Sequence, residues 1–402
     1  MQRQTIYWLS HGSRMVTAAF PSGTEQISHP ARQLIAMKHS LIALLLVTGC
    51  IVGLIIRTVG AQQTDASTEK GILREAAAEK KFLVGTMINA SSLKNSLIKE
   101  TIAKEFNAGI VIVFMRLTQP QLNQFDFREM DSAMQFASEH EIKLAGHALI
   151  YRLTTPDWFD FGPFFCGGWD RDSLDYVMKK HIQTLVAHGG DLFYVWDVIN
   201  EPFTSDGELG RSCWYRVLGE DYIANAFRYA YEANPKALLR LNETFGKDGI
   251  NAQKAEKYFA FIQKLKAQGV PIHVAGIQMH LEAQKLRPTY VEEFRNFLRR
   301  AKEVEVQVHV TEMDVYQGPQ GTFENPFEVQ KQVFKAIMGA CLEFSHCTSF
   351  ATWGLTDKFT WLKTRAKDSY PDAEPLLFDD ECRQKPAYFG VVEAFQENKS
   401  RK

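Results

Sequence analysis

The sequence lacks an excess of charge of either sign. Its 46 lysines and arginines nearly balance its 47 aspartates and glutamates, and the formal net charge is −1. Binding to the phosphate backbone of a nucleic acid requires a positive surface, so this balance argues against a nucleic-acid partner and is compatible with a neutral substrate. Cysteines with zinc-type spacing are also absent from the sequence. The sequence therefore implies neither a metal ion nor an organic cofactor.

Long apolar runs are rare, and residues 41–56 (LIALLLVTGCIVGLII) form the one that stands out. This run is shorter than the ~20 residues of a membrane-spanning helix. A basic segment precedes it and small residues follow it, which is typical of a cleaved signal peptide, and a membrane anchor is the alternative. Cys50 lies in a stretch that loosely resembles a lipoprotein cleavage box, which gives a third interpretation.

The apolar run divides the chain at about residue 70. We assign residues 1–69 to an N-terminal extension whose signal peptide or anchor spans about 37–61, with Met37 as a candidate natural start. We expect the protein to be secreted or otherwise extracytoplasmic, with a membrane tether in the anchor interpretation, and to be a monomer.

The six cysteines would then meet an oxidising compartment. In that setting Cys341 could pair with Cys347, six residues away, and Cys166 could pair with Cys213. The alternative for each cysteine is a buried free thiol.

From residue 70 to residue 397, short apolar stretches alternate with longer amphipathic ones, which is typical of βα units around a parallel sheet. The predicted strands are Phe82–Ile88, Gly109–Val113, Lys143–Leu149, Tyr194–Asn200, Ala237–Asn242, Val274–His280, Gln307–Met313 and Ser349–Leu355. Predicted helices include Leu174–Ala187, Glu220–Ala233, Ala252–Ala267, Val291–Val304 and Glu328–Leu342. Eight such units predict an α/β fold, a (β/α)8 TIM barrel forming a single catalytic domain. A doubly wound open sheet is the alternative, but no glycine-rich phosphate loop follows the first strand.

Two of the predicted strands carry a glutamate near their carboxyl ends, Glu201 in WDVINE and Glu312 in VHVTEMD. In TIM barrels the catalytic groups sit at these ends of the strands. Glycosidic cleavage with retention needs two carboxyl groups ~5 to 5.5 Å apart, one as proton donor and one as nucleophile. Asn200, beside the first glutamate, offers an amide for a sugar 2-hydroxyl. Either glutamate alone could instead be a cap or part of a surface ion pair.

Together, WDVINE at 196–201 and VTEMD at 310–314 resemble the acid/base and nucleophile motifs of the family 10 glycoside hydrolases, the β-1,4-xylanase family. The resemblance spans residues 72–396. It implies that Glu201 is the acid/base and that Glu312 is the nucleophile.

The same resemblance implies further roles. His147, in GHALIYR, is similar to the histidine that binds the sugar next to the scissile bond. His280, in GIQMHL, is similar to the histidine that touches the nucleophile. Asp314 is expected to contact the His280 imidazole and fix its orientation. Gln278 is expected to bind sugar hydroxyls. Trp353 and Trp361 resemble a stacking platform, for which core packing is the alternative, and many relatives have a disulfide with the Cys341 to Cys347 spacing.

The chain departs from the family pattern on the side that holds the non-reducing part of the substrate. Where relatives usually have TPENEMKW, this chain has IVIVFMRL at 110–117, so two polar groups that bind sugar become Ile112 and Val113. Only Arg116 keeps a donor, as an expected substrate-binding residue. A Trp-His pair is replaced by Tyr151-Arg152, and Asn-Asp-Tyr-Asn becomes NETF at 242–245.

These observations predict a retaining, endo-acting β-glycoside hydrolase that cleaves β-1,4-xylan or xylo-oligosaccharides, with a polysaccharide or oligosaccharide as its partner. One alternative keeps the mechanism and changes the substrate to another β-linked glycan or to an aryl or alkyl glycoside. The reason is that Ile112 and Val113 replace polar groups that would discriminate between sugars. The other alternative is a carbohydrate-binding barrel without turnover.

Overall fold

The computed structural model of the protein describes residues 70–159, 166, 168–365, 368–370 and 372–398. The signal peptide or anchor expected at about 37–61 lies outside these residues. Within the described part of the chain, no helix combines the length and the apolar character that crossing a membrane requires.

A closed parallel barrel forms the centre of the fold. Strands β1, β2, β3, β5, β6, β7, β9 and β10 follow one another around it, and β10 pairs with both β9 and β1, which closes the ring. The (β/α)8 prediction is therefore confirmed. The strands are β1 Leu83–Ile88, β2 Ala108–Ile112, β3 Lys143–His147, β4 Ile150–Tyr151, β5 Phe193–Asn200, β6 Leu238–Thr244, β7 Val274–Gln278, β8 His280–Glu282, β9 Gln307–Tyr316 and β10 Cys347–Thr352.

Two short strands lengthen the barrel wall at its carboxyl end. The prediction of one strand over Val274–His280 was wrong, because the chain breaks after Gln278 and resumes as β8. That strand pairs with the extension of β9, with His280 opposite Asp314, and β4 pairs in the same way with the end of β5. These pairings bring residues that are distant in sequence to the barrel mouth.

Helices surround the barrel, and the longer ones each bury one face. In α6 the buried residues recur at intervals of three and four, from Leu174 to Leu185, and Asp170 caps the helix by accepting from Ser173 N. All five predicted helices are present. The helices are α1 Ile72–Glu79, α2 Ala90–Leu93, α3 Ser96–Glu105, α4 Met115–Thr118, α5 Arg128–Glu139, α6 Arg171–Gly189, α7 Cys213–Leu218, α8 Asp221–Ala233, α9 Ala252–Ala267, α10 Tyr290–Glu303, α11 Pro326–Leu342, α12 Trp361–Arg365 and α13 Pro386–Glu397.

One of the two expected disulfides is present. Cys341, at the end of α11, is bonded to Cys347, the first residue of β10. The bond therefore closes the turn that leads into the last barrel strand. The other pairing that was considered, Cys166 with Cys213, does not form, because Cys166 is a free thiol, which was the stated alternative. Two cysteines distant in sequence pair only if the fold brings them together, so their spacing in the sequence did not determine whether this disulfide forms.

Candidate active site

Glu201 is the first residue after β5 and lies at the carboxyl end of the barrel. Its φ of +50° is in the left-handed region, which non-glycine residues rarely adopt outside turns and functional sites. The Glu201 N–H donates to the carbonyl of Asn242 on the neighbouring strand at 2.9 Å. The turn directly after β5 is therefore held by β6.

Glu312 lies within β9 and is almost completely buried, with 4% of its surface exposed. Its Oε1 accepts from Asn242 Nδ2 at 2.7 Å, and its Oε2 contacts His280 Nε2 at 3.1 Å. The other ring nitrogen of His280 contacts Asp314 Oδ2 at 2.9 Å. Each carboxylate oxygen of Glu312 thus has a donor, which stabilises its charged form.

The charge of His280 follows from its neighbours. Burial lowers the pKa of this histidine, but the charges of Asp314 and Glu312 and the hydrogen bonds to them outweigh burial and raise the pKa to about 10. His280 is therefore an imidazolium at neutral pH. This positive charge lies 3.1 Å from Glu312 Oε2, and a carboxylate is the form of glutamate that attacks an electrophilic carbon.

His147, at the end of β3, is held from behind by a buried ion pair. Its Nδ1 contacts Asp197 Oδ2 at 2.8 Å, and Asp197 accepts two hydrogen bonds from Arg240, at 2.5 Å from Nε and 2.8 Å from Nη2. Burial raises the pKa of Asp197, but Arg240 and His147 outweigh it and hold the pKa at about 2. Asp197 therefore remains an anion that binds the Nδ1 proton, which leaves His147 Nε2 for a ligand.

Glu201 has a different environment from Glu312. It is half-buried, its Oε1 accepts from Gln278 Nε2 at 3.1 Å, and its Oε2 accepts from the Tyr151 hydroxyl at 2.9 Å. In contrast to Glu312, no described residue with a positive charge contacts its carboxylate at salt-bridge distance. Two carboxyl groups with such different surroundings can hold different protonation states at one pH.

A chain of side-chain amides joins the two glutamates. Asn242 Nδ2 donates both to Glu312 Oε1 and, at 2.9 Å, to Asn200 Oδ1. Gln278 Nε2 in turn lies 3.4 Å from Asn200 Oδ1 and donates to Glu201. No described residue accepts from Asn200 Nδ2, so this donor is available for a sugar hydroxyl. A side chain at Gly276 would collide with Asn242 Oδ1, since an added Cβ would lie 2.4 Å from it.

Two tryptophans line the mouth beside the histidines. The ring of Trp353 lies 5.0 Å from that of His147 and 6.2 Å from that of His280, both edge-on. Trp361 lies 5.4 Å from His280, and its indole N–H donates to Asp314 Oδ2 at 2.8 Å. Both indoles are partly exposed, which leaves aromatic surface for stacking on a sugar.

The site therefore collects nine of the ten residues expected from the sequence, and Arg116 is the exception. Its side chain is exposed on α4, with the guanidinium 5.6 Å from the ring of Phe114. The Phe114 ring also lies 5.6 Å from the ring of His147. Val113 also differs from expectation: it is completely buried and faces no solvent, so the apolar wall consists of Ile112 and the edge of Phe114.

Five residues of the network were missing from the expected site, and they are Asn242, Thr311, Tyr151, Arg240 and Asp197. Asn242 bridges the nucleophile and Asn200, and Thr311 fixes its amide by donating to Asn242 Oδ1 at 2.8 Å. Tyr151 binds Glu201, and Arg240 supports Asp197. One signal was present in the sequence, because an arginine inside the apolar run LLRLN requires a buried partner.

The arrangement suits the cleavage of a glycosidic bond. One carboxylate is held charged by an imidazolium, and the other is half-exposed between two neutral donors. Two tryptophans and free amide and imidazole nitrogens can bind the faces and hydroxyls of a sugar. Among the described residues, no group of three or more His, Cys, Asp or Glu side chains could hold a metal ion.

Comparisons with known proteins agree with this geometry. The sequence profile of Glycosyl hydrolase family 10 matches residues 73–394. The chain is 31% identical over 278 residues to endo-1,4-beta-xylanase B of Thermotoga neapolitana, which covers 69% of this chain and 77% of that protein. It is 30% identical over 328 residues to endo-1,4-beta-xylanase B of Paenibacillus barcinonensis, with 77% and 95% covered.

Comparison of the fold with solved structures identifies the same group of enzymes. The crystal structure of native xylanase 10B from Thermotoga maritima superposes with a TM-score of 0.73 at 29% identity, covering 81% of this chain and 98% of that one. Xylanase 10B from Thermotoga petrophila, solved in complex with xylobiose, superposes with a TM-score of 0.72 at 27% identity, covering 81% of this chain and 97% of that one. With the profile matched over most of its length, the chain belongs to glycosyl hydrolase family 10.

Proposed function

We propose that this protein is a retaining endo-β-1,4-xylanase in which residues 70–397 form the catalytic domain. The observation that carries the proposal is the contrast between its two glutamates. Glu312 is buried against the His280 imidazolium, and Glu201 is half-exposed between a phenol and an amide. A double displacement needs one carboxylate that is charged and one carboxyl group that carries a proton.

In the first step Glu312 attacks the anomeric carbon while Glu201 donates its proton to the leaving glycosidic oxygen. The bond to the leaving group breaks and an ester to Glu312 forms. In the second step Glu201, now a carboxylate, removes a proton from water, which attacks the same carbon and releases Glu312. The carboxyl oxygens that react should lie ~5 to 5.5 Å apart for this sequence of steps.

The chain's own residues supply the binding. Asn200 Nδ2 and His147 Nε2 are free for hydroxyls of the sugar at the reacting carbon, and Trp353 lies beside both histidines, where a pyranose can stack on it. The relatives from Thermotoga neapolitana and Paenibacillus barcinonensis are named endo-1,4-beta-xylanases, which supports xylan as the substrate.

Activity on beechwood xylan and on aryl β-xylosides tests the proposal. Replacing Glu201 by Gln removes the proton donor. We expect turnover to fall by roughly 10² to 10⁴ for xylobiosides with poor leaving groups and much less in the first step for activated nitrophenyl groups, which leave without protonation. An equal loss on both kinds of substrate contradicts the acid role of Glu201.

A second candidate substrate is another β-linked glycan, or a glycoside with an apolar group. The wall of Ile112 and Phe114 favours it, because relatives usually have polar residues there that hold a sugar. A panel of aryl β-glycosides and polysaccharides separates the two candidates by their kcat/KM values.

For localisation we propose secretion or export, with a membrane tether if residues 37–61 are retained. The disulfide between Cys341 and Cys347 supports an oxidising compartment. Sequencing the N-terminus of the mature protein distinguishes cleavage from anchoring. A protein that keeps Met37 and sediments with membranes has an anchor.

A further inference from the structure

Tyr151 contributes a hydrogen bond to the acid/base that the family resemblance did not predict. Its hydroxyl lies 2.9 Å from Glu201 Oε2, at a position where relatives usually have tryptophan. Burial and the neighbouring carboxylate of Glu201 raise the pKa of Tyr151, so the phenol keeps its proton at neutral and mildly alkaline pH. The contact is therefore one between a neutral hydroxyl and a group that must change its protonation state.

The side-chain amides of the site determine which oxygen of Glu201 carries the proton. The carboxylate of Glu312 accepts only, so Asn242 must present its Nδ2 to it. That same nitrogen faces Asn200, which therefore presents its Oδ1. Gln278 must then present Nε2 to Asn200 Oδ1, and the same nitrogen donates to Glu201 Oε1. An orientation fixed at the nucleophile is in this way transmitted to the acid/base.

An amide N–H donates and never accepts, and the unprotonated oxygen of a carboxyl group is a better acceptor than its hydroxyl oxygen, so the Gln278 amide favours Oε1 as the unprotonated oxygen of Glu201. The proton of the acid therefore resides on Oε2, the oxygen that faces Tyr151. A tyrosine hydroxyl, unlike an indole N–H, can donate or accept by rotating about its C–O bond. It can thus satisfy the charged and the neutral form of the same oxygen.

We propose that Tyr151 is a positioning residue that serves both states of the acid/base, donating to Glu201 Oε2 when it is charged and accepting from it when it is protonated. The inference rests on the proposed glycosidase function. No atom is transferred to Tyr151, because the proton moves between Glu201 and the leaving oxygen or water.

The test is the pH dependence of kcat/KM on an aryl xylobioside with a poor leaving group. The alkaline limb of this profile reports loss of the acid's proton in the free enzyme, where no leaving oxygen competes with Tyr151. Tyr151→Phe removes a donor from the charged form and an acceptor from the protonated form. Because the hydrogen bond to the charged form is the stronger of the two, we expect the alkaline limb to move up, by about half to one pH unit. Tyr151→Trp keeps a donor and removes the acceptor, so we expect the limb to move below that of the wild type.

Tyr229→Phe is the matched control. Its hydroxyl donates to the carboxylate of Asp175 at 2.6 Å, which joins the outer helices α6 and α8 far from the site. Loss of this contact removes the same kind of hydrogen bond and should leave the profile unmoved. Thermal unfolding of all three variants verifies that each is folded.

Opposite shifts in the phenylalanine and tryptophan variants support the proposal. Shifts in the same direction, or a limb that stays in place in either variant, overturn the two-state role of Tyr151 while the wild type remains active. A wild-type protein that turns over no xylobioside overturns the proposed function instead.

Discussion

The two sides of the barrel mouth use their side chains differently. On the side of β5, β6, β7 and β9, polar groups bond to one another in a continuous network from Glu312 through Asn242 to Glu201. On the side of β2, Ile112 and Phe114 contribute packing, and Arg116 is exposed. A residue in the network cannot change without leaving a partner unsatisfied, whereas the apolar wall can change with little cost. This difference explains how the chemistry can persist while substrate recognition diverges.

The largest expected effect is on the buried support of the network. Arg240→Met removes the guanidinium partner of the completely buried Asp197 and leaves it the His147 ring, so we expect the free energy of unfolding to fall by about 3–5 kcal/mol. Lys264→Met removes a cation from an exposed pair with Glu220, which solvent screens, and should change stability far less. Chemical denaturation measures both. An equally small loss in both variants would show that the buried network does not constrain its members more than an exposed ion pair does.

A smaller effect concerns the charge beside the nucleophile. The pKa of His280, about 10 in the folded protein, lies above its ordinary value of about 6.5. The stability that protonation contributes is therefore fully present below pH 6.5 and is lost as the pH rises through 10. We expect the difference in unfolding free energy between the wild type and His280→Gln to shrink over this interval, by a few kcal/mol at most. A difference that is constant from pH 6 to pH 10 contradicts an imidazolium at this position.

The smallest effect is expected at the apolar wall. Ile112→Glu places a carboxylate on the half-buried side of the mouth, and we expect it to raise the ratio of kcat/KM for an aryl xylobioside to that for an aryl xyloside by at most about tenfold. Val113→Asn is the control, because its amide would be completely buried. It should cost about 1–3 kcal/mol of stability and leave the ratio unchanged. A gain in the ratio for Val113→Asn would place that residue in the sugar site.

The barrel could be predicted because parallel strands buried on both faces are continuous apolar stretches, and all eight appear in the sequence. The short strands at Ile150–Tyr151 and His280–Glu282 could not be predicted, because they form only by pairing with the ends of β5 and β9. A stretch of two or three residues carries no periodicity of its own.

The site also contains residues that the sequence predicts and residues that only the structure reveals. Glu201 and Glu312 were expected from the predicted ends of two strands, but the bond from Tyr151 to Glu201 depends on the pairing of the short strand β4 with the end of β5. The burial of Val113 also escaped prediction. An all-apolar strand end does not reveal which of its side chains faces the cleft, because both faces of the strand are buried.

The proposed double displacement depends most directly on Glu312 as a covalent nucleophile. Incubation with a 2-fluoro-xyloside bearing an activated leaving group, followed by mass spectrometry of proteolytic peptides, measures this. The account predicts a stable fluoroxylosyl ester on the peptide that contains Glu312, and a slower loss of the label in Glu201→Gln than in the wild type. A protein that remains unlabelled while it hydrolyses xylan, or a label on another residue, would contradict it.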